Sequence, residues 1–257
     1  MQFINKVVVV TGSSSGIGLA LARLFAEAGA CLVRADVKPG PPVPLACGTP
    51  SRFVQTDVGT EMGMKALVED VMMLEGAIDL FVSNAGIHLE IDALAPEADW
   101  QKIIAVNQMS HVWMARYVIP YMLERGQGRI LITASASSFL SEIFSAGYAA
   151  SKYAAYGFAE WLAFSYRSRG IHVSVACPGP VWSPMMEQAQ YMHNTAISAD
   201  EAAAKIVEGL SEGQFLITTH DQSREQFSKK AADPDAYVEF LVGFRESAIS
   251  LQAEFAG

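Results

Sequence analysis

The sequence predicts an α/β fold, a doubly wound parallel sheet of about seven strands in a single domain. Short continuous apolar runs, typical of strands buried on both faces, alternate along the chain with segments of helical periodicity. A glycine-rich turn joins the first apolar run to the first helical segment. Because strand and helix alternate, right-handed crossovers are expected to bring the strands into one sheet. The 257 residues, 51% of them hydrophobic, suffice for one sizeable core.

The first strand is predicted at 7–10, a β-branched run followed by Thr11 and Gly12. Apolar residues then recur at helical spacing from Gly16, and Gly29 is the expected helix stop. Further strands are predicted at 31–37, 52–55, 78–83, 129–133, 171–177 and 214–218. Further helices are predicted at 61–74, 97–124, 146–169 and 199–212.

Two segments depart from this alternation. The crossover at 38–51 carries five prolines, and a proline in a helix interior costs about 3 kcal/mol, so an irregular connection is expected there. The tail at 221–257 mixes charged and aromatic residues. It is expected to be a C-terminal extension of the same domain that forms two helices.

Charge and cysteine usage exclude several classes of partner. The net charge of −9, without a block of Lys or Arg, predicts no nucleic-acid or anionic-membrane partner. The three cysteines, Cys31, Cys47 and Cys177, have no CxxC spacing, so neither a disulfide framework nor a metal site is expected. The N-terminus lacks the long apolar segment of a signal peptide, and no apolar run is long enough to span a bilayer. These observations predict a cytoplasmic protein.

The turn with the sequence TGSSSGIG, at 11–18, lies between a predicted strand and a predicted helix. There, glycines permit a tight turn and let backbone amides approach a pyrophosphate at the helix N-terminus. A glycine cluster alone also occurs in ordinary loops, but the flanking elements and an acidic residue about twenty positions on favour a Rossmann-type dinucleotide site. The candidate cofactor ligands in the turn are Gly12, Ser14, Ser15, Gly16, Ile17 and Gly18.

That acidic residue is Asp36, near the end of the second predicted strand. Its carboxylate can accept hydrogen bonds from the adenosine ribose, and its charge would repel a 2′-phosphate. Neither Ser15 nor Val37 supplies a cation to neutralise such a phosphate. Arg34 is nearby, on the same face of the strand as Asp36. The sequence therefore favours NAD over NADP.

Tyr148 and Lys152 are four residues apart, one helical turn, and so share one face of a helix. Such a pair also arises by chance, and a surface pair is the alternative interpretation. The position of the pair favours a catalytic role. The helix follows the predicted strand at 129–133, and several serines come directly after that strand. Ligands bind at the carboxyl ends of strands in doubly wound sheets. An ammonium and a nicotinamide cation are expected to lower the tyrosine pKa from about 10. Tyr148 could then exchange a proton with a substrate oxygen while hydride moves to or from nicotinamide.

Over residues 5–219 the chain resembles the classical short-chain dehydrogenase/reductases. The motifs that carry the resemblance occur in the family's order: the TGSSSGIG turn, Asp57-Val58, Asn84-Ala85-Gly86, Asn107, Ser135, Tyr148-x-x-x-Lys152 and Pro178-Gly179. The chain departs from the family's pattern in the prolines at 38–51, in Ser183 where threonine is frequent, and in lacking a glycine-rich segment after Thr218.

The resemblance implies roles for these residues. Asn107, Ser135, Tyr148 and Lys152 would be catalytic: Ser135 would orient the substrate, Asn107 would hold a water that relays protons to Lys152, and Lys152 would also hold the nicotinamide ribose. The further cofactor contacts implied are Asp57, Val58, Asn84, Ala85, Gly86, Pro178, Gly179 and Val181. The helices at 97–124 and 146–169 would form the interface of a homodimer or homotetramer.

The side chains expected to border the nicotinamide are largely apolar, which predicts a lipophilic substrate. The candidate substrate contacts are Ser135, Ser137, Phe144, Tyr148, Trp182 and Met185. The segment after Pro178 is expected to act as a lid. The leading hypothesis is an NAD(H)-dependent oxidoreductase that interconverts a secondary alcohol and a ketone. The alternatives are an NADPH-dependent carbonyl reductase and a catalytically silent nucleotide-binding regulator. His88 comes two residues after Gly86 and is the histidine that could border the substrate site.

Overall fold

The computed structural model describes residues 3–44, 51–187 and 189–256. Its strands are β1 (Val7–Thr11), β2 (Cys31–Asp36), β3 (Ser51–Gln55), β4 (Leu80–Ser83), β5 (Gly128–Thr133), β6 (Ile171–Cys177) and β7 (Leu216–Thr218). They form one parallel sheet in the order β3-β2-β1-β4-β5-β6-β7. The predicted single-domain, seven-stranded parallel fold is thus confirmed. Strand β7 starts later than predicted because the Gln214 amide bonds to the Gly209 carbonyl at 3.0 Å, closing the preceding helix.

The helices are α1 (Gly16–Glu27), α2 (Glu61–Glu75), α3 (Glu97–Ile104), α4 (Ser110–Arg125), α5 (Ser137–Leu140), α6 (Ala146–Tyr166), α7 (Ala199–Ser211), α8 (Asp221–Ala232) and α9 (Pro234–Ala256). They cover both faces of the sheet. Val7 and Val9 pack in the core under α2, α4 and α6, and Val8 and Val10 pack in the core under α1 and α7. The continuous apolar run of β1 therefore serves both cores, as expected of a central parallel strand.

The predicted helix at 97–124 is helical throughout, but it is not one regular α-helix. A π-helical turn at Ala105–Met109 separates α3 from α4. A π turn inserts one residue into the helical repeat and is frequent at functional sites. Here it contains Asn107, whose side chain is completely buried.

The two irregular segments follow expectation where they are described. Residues 39–44 contain no helix, and 45–50, with Cys47 and Pro50, lie outside the described residues. The tail forms the two expected helices, α8 and α9. Lys230 of α8 donates to the Phe139 carbonyl at 2.8 Å and to the Tyr153 hydroxyl, and Tyr237 of α9 donates to the Leu140 carbonyl at 3.1 Å. These bonds dock the tail against α5 and α6. Among the described residues, no helix combines the length and apolar character that crossing a membrane requires.

Candidate active site

The predicted site residues gather at the carboxyl edge of the sheet. Gly12 follows β1, Asp36 ends β2, Asn84 follows β4, Ser135 follows β5 and Pro178 follows β6. The strand order reverses between β1 and β4, which is the point where doubly wound sheets bind their ligands.

The glycine turn has a shape that only glycines allow. Gly12 and Gly16 have φ angles of 65° and 51°, in the left-handed region. A Cβ on Gly12 would lie 2.8 Å from the Cα of Ala85. A Cβ on Gly18 would lie 2.1 Å from the Gly12 carbonyl oxygen, so α1 begins directly against the turn.

The N-terminus of α1 is open to an anion. Ser15 occupies the N-cap position, but its side chain makes no capping hydrogen bond, and the first turn carries no acidic residue. The first amides of a helix have no partner within the helix and carry partial positive charge. This end of α1 therefore fits the pyrophosphate of a dinucleotide.

Asp36 lies beside the same turn. Its Oδ2 accepts a hydrogen bond from the Ser14 amide at 3.0 Å, and its Oδ1 accepts one from the Lys38 amide at 3.3 Å. Arg34 is buried and donates to the Ser13 carbonyl at 3.3 Å. Burial lowers the pKa of Arg34, and the charge of Asp36 opposes that effect. Arg34 thus supports the turn from within the protein, while the Asp36 carboxylate binds the turn at the Ser14 amide.

Thr11 and Asn84 join the ends of β1 and β4. The Thr11 hydroxyl oxygen accepts from the amides of Asn84 and Ala85 at 3.0 and 3.1 Å, and Asn84 Nδ2 donates to the Thr11 carbonyl at 3.0 Å. Gly86 then passes close to the catalytic candidates. A Cβ on Gly86 would lie 3.4 Å from Lys152 Nζ and 3.5 Å from the Asn107 side-chain oxygen.

Helix α6 positions Tyr148 and Lys152. Its N-cap, Ser145, accepts from the Tyr148 amide at 3.0 Å and donates to the Leu89 carbonyl at 2.5 Å. Lys152 is 3% exposed; its Nζ donates to the Thr133 carbonyl at 3.2 Å and lies 5.5 Å from the centroid of the Tyr148 ring. The two side chains therefore share one face, as their spacing predicts. The capping role of Ser145 was not singled out from the sequence, although a serine three residues before Tyr148 is a capping signal.

Burial dominates the electrostatics of this pair. The pKa of Tyr148 is raised to about 12, because burial disfavours the phenolate; an interaction with the Ser135 side chain lowers it, and the charge of Glu142 raises it further. The pKa of Lys152 is lowered to about 8, again because of burial. Without a nicotinamide cation, burial thus outweighs the interaction that lowers the Tyr148 pKa, and the lowering expected from Lys152 together with that cation stays a prediction.

Asn107 connects three parts of the site. Its side-chain oxygen accepts from the Ile87 amide at 2.8 Å, and its Nδ2 donates to the Ile87 carbonyl at 2.9 Å and to the Ser151 hydroxyl at 3.1 Å. The side chain thus clamps the strand extension after Gly86 to α6. The relay water predicted at Asn107 stays a prediction.

Ser135 and Ser137 lie at the start of the connection to α6. The Ser135 hydroxyl accepts from the Ser137 amide at 3.1 Å, and the Ser138 hydroxyl accepts from the Ser135 amide at 3.2 Å. The Ala136 amide donates to the Pro178 carbonyl at 2.8 Å, which ties this turn to the end of β6.

The segment after β6 crosses the cofactor end of the site. The Gly179 amide donates to the Thr219 hydroxyl at 3.2 Å, and Val181 forms an isolated bridge with Ile197. A Cβ on Gly16 would lie 3.1 Å from the Cβ of Ser183, so this segment passes directly over the glycine turn.

Three aromatic contacts involve side chains that are predicted to lie near the substrate. Phe144 packs on Tyr191 with ring centroids 5.1 Å apart, and His88 packs on Tyr148 at 5.0 Å. Trp182 packs on His193 at 4.5 Å, within its own segment. Trp182 and Met185 are 45% and 43% exposed.

Asp57 and Val58, which are predicted to contact the cofactor, follow β3. Asp57 is exposed, and its carboxylate accepts from the Gly59 amide at 2.9 Å. The Val58 side chain belongs to the core, so only its backbone can face a ligand.

Known proteins match this chain over most of its length. A model of the short chain dehydrogenase family matches residues 6–194. The 1-deoxy-11-beta-hydroxypentalenate dehydrogenase of Streptomyces exfoliatus is 34% identical over 237 residues, 87% of this chain and 86% of that protein. The D-beta-hydroxybutyrate dehydrogenase of Rhizobium meliloti is 34% identical over 195 residues, 72% of this chain and 74% of that protein.

A solved structure agrees with the fold over nearly the whole chain. A short chain dehydrogenase/reductase from Burkholderia phymatum, in complex with NAD, superposes with a TM-score of 0.80 at 25% identity, covering 92% of this chain and 96% of that one. Sequence and fold thus point the same way. The chain belongs to the short-chain dehydrogenase/reductase family, oxidoreductases that act on the CH–OH groups of their substrates.

Proposed function

We propose that this protein is an NAD(H)-dependent oxidoreductase that interconverts a lipophilic secondary alcohol and the corresponding ketone, with Tyr148 as general acid/base. The observation that carries the proposal is the buried Lys152 beside Tyr148 at the carboxyl edge of the sheet, 5.5 Å from the ring centroid. A lysine buried to this degree, with a pKa lowered to about 8, is costly to keep and points to a functional site.

Each catalytic candidate has a task in this proposal. The Tyr148 hydroxyl donates a proton to the ketone oxygen in reduction and removes it from the alcohol in oxidation. Ser135 donates a hydrogen bond to the same oxygen, and Lys152 binds the nicotinamide ribose and keeps positive charge beside the phenol. Asn107 holds the backbone at Ile87 in place and supplies a carbonyl for a relay water. The bound cofactor supplies hydride transfer and, in its oxidised form, positive charge that stabilises the phenolate.

The proposed cofactor site runs along the carboxyl edge from β3 to β6. The open end of α1 binds the pyrophosphate, and Asp36 binds the adenosine ribose. The residues proposed to contact the cofactor are Gly12, Ser14, Ser15, Gly16, Ile17, Gly18, Asp36, Asp57, Val58, Asn84, Ala85, Gly86, Tyr148, Lys152, Pro178, Gly179 and Val181.

Phe144, Trp182 and Met185, with Ser135, Ser137 and Tyr148, are the proposed substrate contacts. The packing of Phe144 on Tyr191 supports an apolar wall at the substrate end. A relative from Eggerthella lenta, 32% identical over 186 residues, is named a 3beta-hydroxysteroid dehydrogenase. A lipophilic alcohol would fit the same kind of pocket. The cysteine usage supports a cytoplasmic location.

The test is a panel of secondary alcohols incubated with NAD or with NADP, read by the absorbance of the reduced nicotinamide. We expect turnover of lipophilic members with NAD, and a kcat/KM with NADP lower by at least about tenfold, because the Asp36 carboxylate repels a 2′-phosphate. Preference for small charged alcohols would contradict the substrate proposal. Equal efficiency with NADP would contradict the cofactor proposal.

The Asp36→Ala variant is the matched control for this preference. It removes the charge without adding a cation. The ratio of kcat/KM with NAD to kcat/KM with NADP should therefore fall, mainly because the KM for NAD rises. If Asp36→Ala left this ratio of kcat/KM values unchanged, Asp36 would not be the origin of the preference for NAD.

We further propose that the protein is a homodimer or homotetramer with α4 and α6 at an interface. Trp161 and Phe164 of α6 are 50% and 69% exposed and pack edge to face on each other. Such exposed aromatic patches mark interaction surfaces.

Light scattering at micromolar concentration should therefore give at least twice the mass of one chain. Phe164→Glu should lower the mass, because a carboxylate cannot be buried unpaired in an apolar interface. Met62→Glu, at an 81% exposed position on α2, is the control with unchanged mass. A monomer mass for the unmodified protein would overturn the proposal.

A further inference from the structure

A half-buried carboxylate lies among the apolar side chains of the predicted substrate end. Glu142 belongs to the connection between α5 and α6, and it is half-buried. Its Oε1 accepts a hydrogen bond from the Phe144 amide at 3.1 Å, which turns the carboxylate back toward its own loop. Neither the glycine turn nor the tyrosine–lysine pair requires an acidic residue at this position.

The same oxygen also binds the segment that follows β6. The Tyr191 hydroxyl donates to Glu142 Oε1 at 3.2 Å. Burial raises the pKa of Tyr191, and the charge of Glu142 raises it further, so the phenol remains a hydrogen-bond donor at neutral pH. Glu142 therefore joins the two polypeptide segments that border the substrate end.

The charge of Glu142 reaches the reacting group as well. It is one of the influences that raise the pKa of Tyr148, after burial. A substrate whose oxygen contacts Tyr148 would lie close to the Tyr148 hydroxyl. The charge of Glu142 would therefore act on that substrate too. Two further charges lie near: Glu90, which also raises the Tyr191 pKa, and Arg245.

Helix α9 fixes the loop that carries Glu142. Arg245 Nε donates to the Ile143 carbonyl at 2.9 Å, and its guanidinium lies 5.9 Å from the centroid of the Phe144 ring. Phe244 packs on Tyr191 at 6.1 Å. The carboxylate is thus held by contacts on both neighbouring segments, and a substrate cannot easily displace it.

We infer that Glu142 is a specificity-determining residue that makes the substrate site select neutral lipophilic ligands over carboxylates of the same size. This inference deepens the proposed function and rests on it. The physical basis is repulsion: an anionic group brought beside a half-buried carboxylate loses its hydration and meets a like charge, while the nearby Arg245 already donates to the Ile143 carbonyl. A neutral primary amide meets an acceptor instead and can donate a hydrogen bond to it.

The experiment compares binding of octanamide and octanoate to the protein saturated with NAD, by calorimetry. Unmodified protein should bind the amide at least about tenfold more tightly, as expected for two unit charges near a protein surface. In Glu142→Gln, which keeps the acceptor for Phe144 and Tyr191, the difference should shrink to about threefold or less, mainly through tighter octanoate binding.

Two variants separate the charge from other effects. Glu187→Gln removes an exposed carboxylate from the segment after β6 and should leave the ratio of the two affinities unchanged. Tyr191→Phe removes the hydrogen bond but keeps the charge of Glu142, so selection against octanoate should persist. If Tyr191→Phe abolished it, Glu142 would act by holding the loop and not by its charge.

An unchanged ratio in Glu142→Gln, equal binding of both ligands to the unmodified protein, or binding of neither would overturn the inference. Binding does not require turnover. Failure of the proposed alcohol chemistry would appear in the alcohol panel and leave the affinity ratio intact, whereas failure of this inference would leave the alcohol chemistry intact.

Discussion

Replacing Tyr148 by phenylalanine is expected to reduce turnover by at least about 100-fold, the lower end of what a positioned general acid/base contributes. The ring keeps its contact with His88, 5.0 Å between centroids, so folding and NAD binding should survive. The measurement is kcat on a substrate that the unmodified protein oxidises well. A deuterium isotope effect on the transferred hydride would establish that chemistry limits the rate.

The pH dependence gives the same residue a second signature. Because the Tyr148 pKa is raised to about 12, the protein's own groups keep the phenol protonated at neutral pH, the form that donates in ketone reduction. Oxidation needs the phenolate, so its rate should rise with pH through an apparent pKa well below 12, lowered by the charge of oxidised nicotinamide. Near-normal kcat in Tyr148→Phe would disprove the mechanism and move the search for a base to His88.

Lys152→Met should abolish most activity and yet make the protein more stable at neutral pH. The ammonium is 3% exposed and its pKa is lowered to about 8, so its burial opposes folding. Replacing it by an apolar side chain of similar length should raise the free energy of unfolding by about 1–2 kcal/mol, less than the full linkage value because the Thr133 carbonyl loses its donor.

The sign of this effect can be checked by titration. Between pH 8 and 10.5 the unfolded chain binds the Lys152 proton and the folded protein releases it. The unmodified protein should therefore gain stability with rising pH in this window, and the advantage of Lys152→Met should fade. Denaturant unfolding of the unmodified protein and of Lys152→Met at pH 7 and pH 10 measures both free energies of unfolding. If Lys152→Met were less stable than the unmodified protein at pH 7, the prediction would be wrong and Lys152 would stabilise the fold. The variant is expected to bind NAD more weakly whatever its stability.

The sequence predicts the sheet well because its central strands, such as β1 and β4, are buried on both faces. The run Val7–Thr11 has the continuous apolar character of such a strand, and the glycines that follow it allow the tight turn that the structure contains. The Tyr148 and Lys152 pair is likewise a local pattern, since one helical turn fixes their common face.

Other features depend on contacts between distant segments. The π turn around Asn107 changes the helical repeat by a single residue, which a hydrophobic pattern does not register. The raised pKa of Tyr148 depends on how deeply the assembled fold buries its ring. Glu142 gains its partner from Tyr191, 49 residues later, and its loop is held by Arg245, 102 residues after Ile143.

The docking of α8 and α9 has a consequence for how this enzyme can be altered. Both helices follow the last strand of the sheet, and α9 contacts the loop beside Tyr148 through Arg245. If the proposed site is correct, exchanging this segment between related chains would change residues around the proposed substrate contacts and leave those at the proposed cofactor contacts of β1 and β2 in place. On the proposed site assignment, substrate range would be changed by recombination within 221–256 and cofactor choice by point substitutions at the glycine turn and Asp36.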